Sequence, residues 1–359
     1  MLGLEQTQWQ LVEHYLTPIE PFLNKEGITG ICVNRFDQIY VKDRGEFCRT
    51  EARWEDEAAL VACIEQIAMA LGQELHAATR PLLDARLPDG SRINAVLRPV
   101  AHTGSNMTIR LFPTVRFTGK DLLNLKMFNE KMLAFLDLAV RAKYNILIAG
   151  GTDSGKTTLL GAIANLGDFE ERVLVIEDTA ELKINKSQVI GLEAARRGDE
   201  AAPLTMADLL VNTLRQEPQR ILVGEVRAPD AASALQQALN TGHQGVISTL
   251  HANNAPDALV RLTNLLASNG SGIPYEAIRS QVNSNFQLVV YCAHLRRGDK
   301  RLRRVMEMME TSPKGSRLLW KYDIRSDHFT QLWTEDEPPE LFSIAEDLGL
   351  LQSAELLTL

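Results

Sequence analysis

Cysteine is scarce in this chain. Only four cysteines occur among 359 residues, and no two of them have the Cys-x-x-Cys spacing: Cys32, Cys48, Cys63 and Cys292. Such scattered cysteines fit neither a four-cysteine zinc site nor a disulfide framework. We therefore expect the protein to reside in a reducing compartment, the cytoplasm.

Basic charge and long apolar runs are lacking as well. Lysine and arginine together number 38 against 46 aspartates and glutamates, for a formal net charge of −8. Proteins that coat nucleic acid usually carry a basic domain, so we expect no direct nucleic-acid partner. No apolar stretch approaches the length of a bilayer span, and the first residues lack a signal-peptide pattern. We expect a soluble protein without a transmembrane segment, able to dock on a membrane complex.

A glycine-rich loop is the most informative segment that is present. Residues 145–157 read Asn-Ile-Leu-Ile-Ala-Gly-Gly-Thr-Asp-Ser-Gly-Lys-Thr. From Gly150 to Thr157 they match G-x-x-x-x-G-K-[ST], a P-loop whose backbone N–H groups converge on phosphate oxygens at a helix N-terminus. An apolar strand precedes the loop and a periodic apolar helix follows it, a context that a simple glycine turn does not require. The sequence therefore predicts a site for a nucleoside triphosphate, ATP, with Mg²⁺.

Two side chains of the loop have chemistry of their own, and a third is unusual. Lys156 supplies a positive charge to the outer phosphates, and the Thr157 hydroxyl is placed to hold Mg²⁺. Asp153 stands where such loops often have another glycine. It tolerates unusual backbone angles, but its negative charge is expected to lower nucleotide affinity. The predicted nucleotide-binding residues are Gly150, Gly151, Thr152, Asp153, Ser154, Gly155, Lys156, Thr157 and Thr158.

The first part of the chain reads as a small domain of its own. Residues 1–113 are predicted to form an α+β domain, and residues 114–124 a linker, within which Thr118-Gly-Lys-Asp121 has the capping-box pattern that starts a helix. Side-chain alternation predicts one apolar sheet face and an opposite face with arginines, among them Arg92 and Arg110. The predicted elements are strands at 28–35, 38–42 and 107–112, a helix at 55–71, and two strands that flank the turn at 88–91.

Residues 125–359 have the pattern of an α/β domain. Nearly all-apolar strands alternate with helices, which predicts a parallel sheet covered on both faces. The tail reads as a β-rich C-terminal extension. The predicted strands are 145–149, 173–177, 221–225, 245–250, 286–294 and 304–309, helices begin near Gly155, Thr205 and Pro229, and a closing helix covers 339–357.

Charged side chains stand at the ends of three of these strands. Because ligands of parallel sheets bind at the carboxyl ends of the strands, Glu177, Glu225 and His251 are candidates for one site. Hydrolysis of a triphosphate needs a metal ion, a carboxylate that orients water and a cation. Glu177 and Glu225 are predicted to divide the carboxylate work, and His251 or His243 to contact the γ-phosphate. The alternative reading is a set of solvated loop residues and ion-pair partners.

In this order the motifs resemble the type II/type IV secretion ATPase superfamily. The P-loop and three later segments are similar in sequence and spacing to that family's Walker A, Asp-box, Walker B and His-box motifs. The absence of a four-cysteine cluster counts against the extension-type ATPases of that superfamily. The compact N-terminal domain and the Gly-Glu-Val-Arg and His-Ala-Asn motifs look closest to conjugation/type IV secretion and Tad-type pilus ATPases. The later segments are Val175-Ile-Glu-Asp-Thr-Ala-Glu181, Leu222-Val-Gly-Glu-Val-Arg227 and Thr241-Gly-His…Ser248-Thr-Leu-His-Ala-Asn253.

The resemblance implies more than the residues alone predict. It implies a RecA-like P-loop NTPase domain with a parallel-sheet core, preceded by the small α+β N-terminal domain. It also implies a cytoplasmic homohexamer, peripheral to the inner membrane, that hydrolyses ATP and drives a secretion channel or pilus through inner-membrane platform proteins. Glu177 matches the family's general base, and Glu225 the acid that holds Mg²⁺ through water. Arg92 and Arg110 match arginines that reach the phosphates across the interdomain or intersubunit cleft.

Two other functions remain open from the sequence. Asp153 in the P-loop is compatible with a regulatory scaffold that binds ATP and scarcely hydrolyses it. A RecA-like nucleic-acid translocase is the other alternative, and the acidic balance of the chain disfavours it. Turnover of ATP separates the first alternative from a motor, and stimulation of turnover by DNA or RNA identifies the second.

Overall fold

The computed structural model describes residue 9 and residues 11–43, 45–111, 117–167, 170–194, 204–270, 272–298, 300–313 and 315–351. The chain divides into two compact units, Met1–Val115 and Arg116–Leu359. Within the predicted linker, residues 114–116 lie outside the described residues, whereas Gly119–Asn124 form a helix. Among the described helices, none has both the length and the apolar character needed to cross a bilayer.

The N-terminal unit is built on an antiparallel sheet. Its strands are β1 (Ile28–Arg35), β2 (Gln38–Asp43), β3 (Glu46–Arg49), β4 (Leu82–Arg86), β5 (Arg92–Val96) and β6 (Asn106–Arg110). They are ordered β3-β2-β1-β6-β5-β4. The unit also has the helices α1 (Glu20–Leu23) and α2 (Glu57–Ala70). Helix α2 begins after Asp56, whose side chain accepts a hydrogen bond from the Ala59 N–H, an N-cap of the usual kind.

Side-chain alternation gives this sheet one buried and one exposed face. Ile93 and Ile109 are fully buried in the core that also includes the apolar side of α2. Arg92 and Arg110 are exposed on the opposite face and are direct cross-strand partners. Arg86 pairs with Arg92 on the neighbouring strand. Three arginines therefore form one row across β4, β5 and β6, on the arginine-bearing face that alternation predicts.

The second unit contains a larger sheet flanked by helices. Its strands are β7 (Ile146–Gly150), β8 (Arg172–Glu177), β9 (Gln188–Glu193), β10 (Arg220–Val223), β11 (Ile247–Leu250), β12 (Leu288–Arg297), β13 (Lys300–Ser312), β14 (Gly315–Asp323) and β15 (His328–Gln331). Its helices are α3 (Gly119–Asn124), α4 (Glu130–Arg141), α5 (Lys156–Ala164), α6 (Met206–Thr213), α7 (Pro229–Asn240), α8 (Ala255–Ser268), α9 (Tyr275–Asn285) and α10 (Glu340–Asp347).

The order of the strands places the P-loop strand inside this sheet. The sheet runs β15-β14-β13-β12-β7-β11-β10-β8-β9. From β12 to β9 neighbouring strands are parallel, and from β12 to β15 they are antiparallel. Strand β7 is thus bordered by β11 on one side and by β12 on the other. The β-rich tail extends the parallel sheet directly from the strand next to the P-loop.

Apolar side chains alternate between two cores, one on each face of the sheet. In β7, Ile146 and Ile148 lie in the core that includes α4 and α5, whereas Leu147 and Ala149 lie in the core that includes α7 and α8. Strands β7, β10 and β11 are buried along their whole length. The predicted parallel sheet covered on both faces is confirmed.

Three of the boundaries that differ from the sequence prediction bear on the site or follow from a glycine. Strand β10 ends at Val223, so Glu225 lies beyond the strand instead of at its last position. Strand β11 begins at Ile247, because Gly245 has a φ of 72°, which a strand cannot adopt. Helix α10 ends at Asp347, where Gly349 with a φ of 66° gives the left-handed turn that stops a helix. Residues 352–357 of the predicted closing helix lie outside the described residues.

Candidate nucleotide-binding site

The P-loop connects a fully buried strand to a helix, as the sequence predicts. Strand β7 ends at Gly150 and helix α5 begins at Lys156, with Gly155 at the N-cap position. Gly155 has a φ of 94° and Asp153 a φ of 60°, so two loop residues adopt left-handed backbone. These angles fold the loop around the N-terminus of α5, where unpaired N–H groups attract phosphate oxygens.

Lys156 lies folded over the loop that it belongs to. Its Nζ donates a hydrogen bond to the Gly151 carbonyl over 2.9 Å, and the Ser154 hydroxyl donates to the same oxygen over 2.8 Å. Lys156 is only 7% exposed. Burial lowers the pKa of its ammonium group, while the nearby charge of Glu225 opposes that shift. Lys156 therefore lies inside the loop and close enough to Glu225 to feel its charge.

Gly150 leaves no room for a side chain, because β12 passes against it. A Cβ at this position would overlap the Cys292 carbonyl oxygen and lie 2.5 Å from the Ser154 hydroxyl oxygen. We expect Gly150→Ala to lower the free energy of unfolding by about 1–3 kcal/mol, the range for an overpacked core. Denaturant unfolding measures this change. Gly151→Ala is the matched control, since a Cβ there meets nothing within 4 Å; equal destabilisation of the two variants would contradict the steric argument.

Asp153 is exposed and in left-handed backbone, as its place in the loop requires. Asp153→Gly keeps this backbone accessible and removes a negative charge beside the phosphate site. We expect a gain in ATP affinity of roughly two- to fivefold, the scale of an exposed charge interaction. Isothermal titration calorimetry measures it. Asp153→Asn should give a similar gain, because asparagine tolerates the same backbone; a gain with glycine alone would assign the effect to backbone freedom.

Glu225 is at the centre of a charged cluster above β10 and β11. An Arg227 guanidinium nitrogen donates a hydrogen bond to Oε2 of Glu225 over 3.0 Å. The His251 Nε2 atom lies 2.9 Å from Oε1, although the ring is not aligned for a hydrogen bond. Burial would raise the pKa of Glu225, but Arg227, Lys156 and His251 together hold it below its ordinary value. Burial and the charge of Lys156 lower the pKa of His251, which favours a neutral imidazole.

The cluster offers a carboxylate oxygen that suits a magnesium ion. Oε1 of Glu225 is buried without a hydrogen-bond partner among the described residues. Thr157 lies in the first turn of α5. No group of three or more His, Cys, Asp or Glu side chains in the described part of the chain forms a complete metal site. Mg²⁺ usually takes one or two protein ligands, waters and substrate phosphates rather than a protein cage.

Glu177 lies beside this cluster, and its carboxylate is held by the loop that follows it. The N–H groups of Glu181 and Leu182 each donate to Oε1 of Glu177 over 3.0 Å. On the other side, a Cβ on Gly224 would lie 3.1 Å from Cγ of Glu177. Glu177 is 5% exposed, and burial raises its pKa to about 7 against the opposing effect of the two N–H groups. The carboxylate therefore exchanges a proton near neutral pH.

The loop after Glu177 is fastened to the P-loop helix. Asn165, which ends α5, donates through its side-chain amide to the Lys183 carbonyl over 3.2 Å and accepts from the Asn185 N–H over 2.7 Å. Leu182 packs 3.6 Å from the position of a Cβ on Gly161 in α5. A displacement of this loop would therefore be transmitted to both Glu177 and the helix that begins the phosphate site.

The raised pKa of Glu177 predicts a measurable pH dependence of stability. Because the pKa of about 7 in the folded protein exceeds the ordinary glutamate pKa of 4.5, the folded protein binds more protons than the unfolded chain between these two pH values. Protonated Glu177 contributes to the free energy of unfolding. This contribution is complete below pH 4.5 and is lost as the pH rises through 7, and it amounts to at most about 3 kcal/mol. Glu177→Gln removes the titrating carboxyl group, so the variant should be more stable than wild type at pH 8 but not at pH 4. Urea unfolding of both proteins at pH 4 and pH 8 tests this prediction. The same difference in the free energy of unfolding between variant and wild type at the two pH values would contradict it.

The other predicted residues lie at different places. The His243 ring lies 3.1 Å from the Ala238 carbonyl and from the Thr241 hydroxyl, so its contacts belong to the end of α7. Asp178 is exposed next to Glu177, and its charge acts on Arg227. Arg92, in the N-terminal unit, lies 3.7 Å from Asp84. The structure thus brings Lys156, Glu225 and His251 together, with Glu177 adjacent to Gly224.

Two arginines at the site were not among the predicted residues. Arg227 follows Glu225 by two positions, so its place at the end of β10 is a signal that the sequence contains. Arg303 donates from Nε to the Asp153 carbonyl over 2.9 Å. It comes from β13, and only the pairing of β12 with β7 brings that strand near the P-loop. No local pattern in the sequence indicates Arg303.

Comparisons with known proteins show which family the chain belongs to. The profile of the family described as "Type II/IV secretion system protein" matches residues 13–322. A putative conjugal transfer protein of Mycobacterium tuberculosis is 33% identical over 294 residues, covering 79% of this chain and 82% of that protein. The type IV secretion system protein PtlH of Bordetella pertussis is 33% identical over 323 residues, covering 83% and 94%.

A solved structure supports the fold. The pilus retraction motor PilT, crystallised with bound ADP, aligns with a TM-score of 0.59 and 20% identity over 97% of this chain and 89% of that one. At this identity the likeness concerns the fold alone. It confirms the predicted RecA-like α/β domain preceded by an α+β domain.

Proposed function

The chain belongs to the type II/IV secretion ATPase superfamily, and from this premise we propose that it is a Mg²⁺-dependent ATPase that works as a homohexameric motor. The observation that carries the proposal is the meeting of Lys156, Glu225 and His251 at one edge of the sheet. Lys156 and Glu225 act on each other's pKa, and His251 lies 2.9 Å from the Glu225 carboxylate. A phosphate-binding loop, a buried acid and a histidine together suit cleavage of a γ-phosphate.

In the proposed reaction the P-loop amides and Lys156 hold the phosphates. Lys156 exchanges the Gly151 carbonyl for phosphate oxygens, which are the stronger partners of an ammonium group. Thr157 and Glu225 would hold Mg²⁺, Glu225 through water. When bound, Mg²⁺ neutralises negative charge on the outer phosphates. Neutral His251 contacts the γ-phosphate as a hydrogen-bond donor through its one ring N–H.

Glu177 is proposed as the general base. Its pKa of about 7 lets it accept a proton from the attacking water at neutral pH. To do so it leaves the N–H groups of Glu181 and Leu182, which hold it in this structure. Since the same loop is bonded to Asn165 at the end of α5, proton transfer and loop movement are coupled in this proposal.

Arg92 and Arg110 are proposed to reach the phosphates from the N-terminal domain. Like charges directly opposite each other on neighbouring strands are unfavourable, and a nearby anion offsets that cost, as Asp84 does in part for Arg92 over 3.7 Å. The two arginines occupy such a pair, with Arg86 next in the row. The row therefore suits a polyanion, and closure of this domain on ATP would supply cations to the transition state.

The partners follow from the family. We place the hexamer in the cytoplasm, peripheral to the inner membrane, where platform proteins of a secretion system or pilus receive the motion. The domains proposed are residues 1–113, the linker 114–124, and residues 125–359 with the β-rich extension. No direct nucleic-acid partner is included, because the net charge is −8.

Phosphate release by the purified protein tests this function against its two alternatives. A hexamer by mass photometry, with ATP turnover that EDTA abolishes, is the expected result. Stoichiometric ATP binding without turnover would establish the regulatory scaffold instead. Turnover that depends on added DNA or RNA would establish the translocase.

A further inference from the structure

Arg303 is fixed on the outer side of the P-loop by two contacts. Its Nε donates to the Asp153 carbonyl over 2.9 Å. Its Cδ lies 3.2 Å from the position of a Cβ on Gly155, so the aliphatic stem covers the glycine that caps α5. Arg303 is exposed, and among the described residues its two terminal nitrogens have no hydrogen-bond partner. The guanidinium group is therefore held at Nε while its terminal nitrogens point to no hydrogen-bond partner among the described residues.

The strand order indicates which part of a nucleotide Arg303 would meet. Glu225 and His251 follow β10 and β11, on one side of β7, and this is the side where the γ-phosphate reacts. Arg303 lies on β13, which reaches β7 through β12 on the opposite side. A triphosphate gripped at its middle by the P-loop has its nucleoside at the end away from the γ-phosphate. The nucleoside then lies on the β12–β13 side, next to Arg303.

We infer that Arg303 binds the nucleoside end of the triphosphate and stacks its guanidinium on the adenine base. Arginine stacks well on flat aromatic faces because its guanidinium is planar and weakly hydrated. The bond to the Asp153 carbonyl fixes the plane before the nucleotide arrives, so little side-chain freedom is lost on binding. This inference rests on the proposed function, since it concerns the same ATP.

Binding of two ligands tests this role. ATP and inorganic triphosphate are titrated by calorimetry into the full-length wild type, Arg303→Met and Arg303→Lys. Methionine keeps a stem over Gly155, and lysine keeps the charge without the plane. Both variants are expected to lose roughly tenfold in ATP affinity, the scale of one base-stacking contact. Their affinity for inorganic triphosphate should stay at the wild-type value, which also shows that the P-loop is intact.

The controls separate this role from a structural one. Arg301→Met removes a neighbouring exposed arginine of β13 and should leave both affinities unchanged. An equal loss of affinity for ATP and for inorganic triphosphate in Arg303→Met would mean that Arg303 shapes the loop. Wild-type affinity for ATP in Arg303→Lys would mean that Arg303 contacts a phosphate. Wild-type affinity for ATP in Arg303→Met would mean no contact at all. Each of these results overturns the stacking role, whereas failure of wild type to bind ATP would overturn the proposed function and this role with it.

Discussion

Lys156→Ala is expected to lower ATP turnover by about 100-fold or more. Removal of one preorganised group that stabilises transition-state charge has an effect of this size in other enzymes. Lys156 is the buried cation of the P-loop, and its ammonium lies on the Gly151 carbonyl over 2.9 Å. Its loss leaves the P-loop with backbone N–H groups and no side-chain cation of its own at the outer phosphates. Steady-state phosphate release measures the effect.

The control for this variant removes a lysine outside the site. Lys120 is exposed in helix α3, and Lys120→Ala should hydrolyse ATP at the wild-type rate. Circular dichroism and thermal unfolding of both variants establish that the fold is kept. Phosphate release by Lys156→Ala at the wild-type rate would refute the assignment of the catalytic site.

Glu177→Gln is expected to bind ATP and to lose turnover by a factor of about 10²–10⁴, the range of general-base catalysis. Glutamine has nearly the same shape and still accepts the two N–H bonds, but it takes no proton from water. In wild type the turnover number should rise as the pH increases through 7, because Glu177 must lose its proton to act. The variant should lack this rise. Phosphate release is measured from about pH 5.5 to about pH 9, which extends about 1.5–2 units on each side of the Glu177 pKa of about 7.

Asp178→Asn is the matched control for Glu177→Gln. Asp178 is the next residue along the chain and is exposed, so neutralising it should leave the pH profile in place. Wild-type turnover in Glu177→Gln would reassign the base, and Glu225 would then be the next carboxylate to examine. A loss of ATP binding in Glu177→Gln would instead indicate a role in shaping the site.

Local patterns were sufficient to predict the strand and the helix that flank the P-loop. The P-loop joins a buried strand to a helix, and hydrophobic periodicity together with the glycines predicts both elements. The carboxyl ends of parallel strands meet at one edge, which is why Glu225 and His251 could be grouped before their contact was seen. The distances, the partner of each oxygen and the direction of each pKa shift depend on packing, which periodicity does not specify.

Elements without a clear period were missed. Strand β9 (Gln188–Glu193) is a half-exposed edge strand with a central glycine, and β14 and β15 continue an antiparallel tail of mixed character. Helices α8 and α9 follow the segment around His251 closely, and the sequence pattern does not predict where either helix begins. Arg303 was missed for a related reason: its role depends on β12 pairing with both β7 and β13, a long-range contact that no short motif encodes.

A structure with a non-hydrolysable ATP analogue and Mg²⁺ tests the central claim most directly. The account predicts that Lys156 contacts the outer phosphates and that Glu225 and His251 stand at the γ-phosphate, with the metal ion between Thr157 and Glu225. A nucleotide bound elsewhere on the chain, or a γ-phosphate directed away from Glu225 and His251, would contradict it.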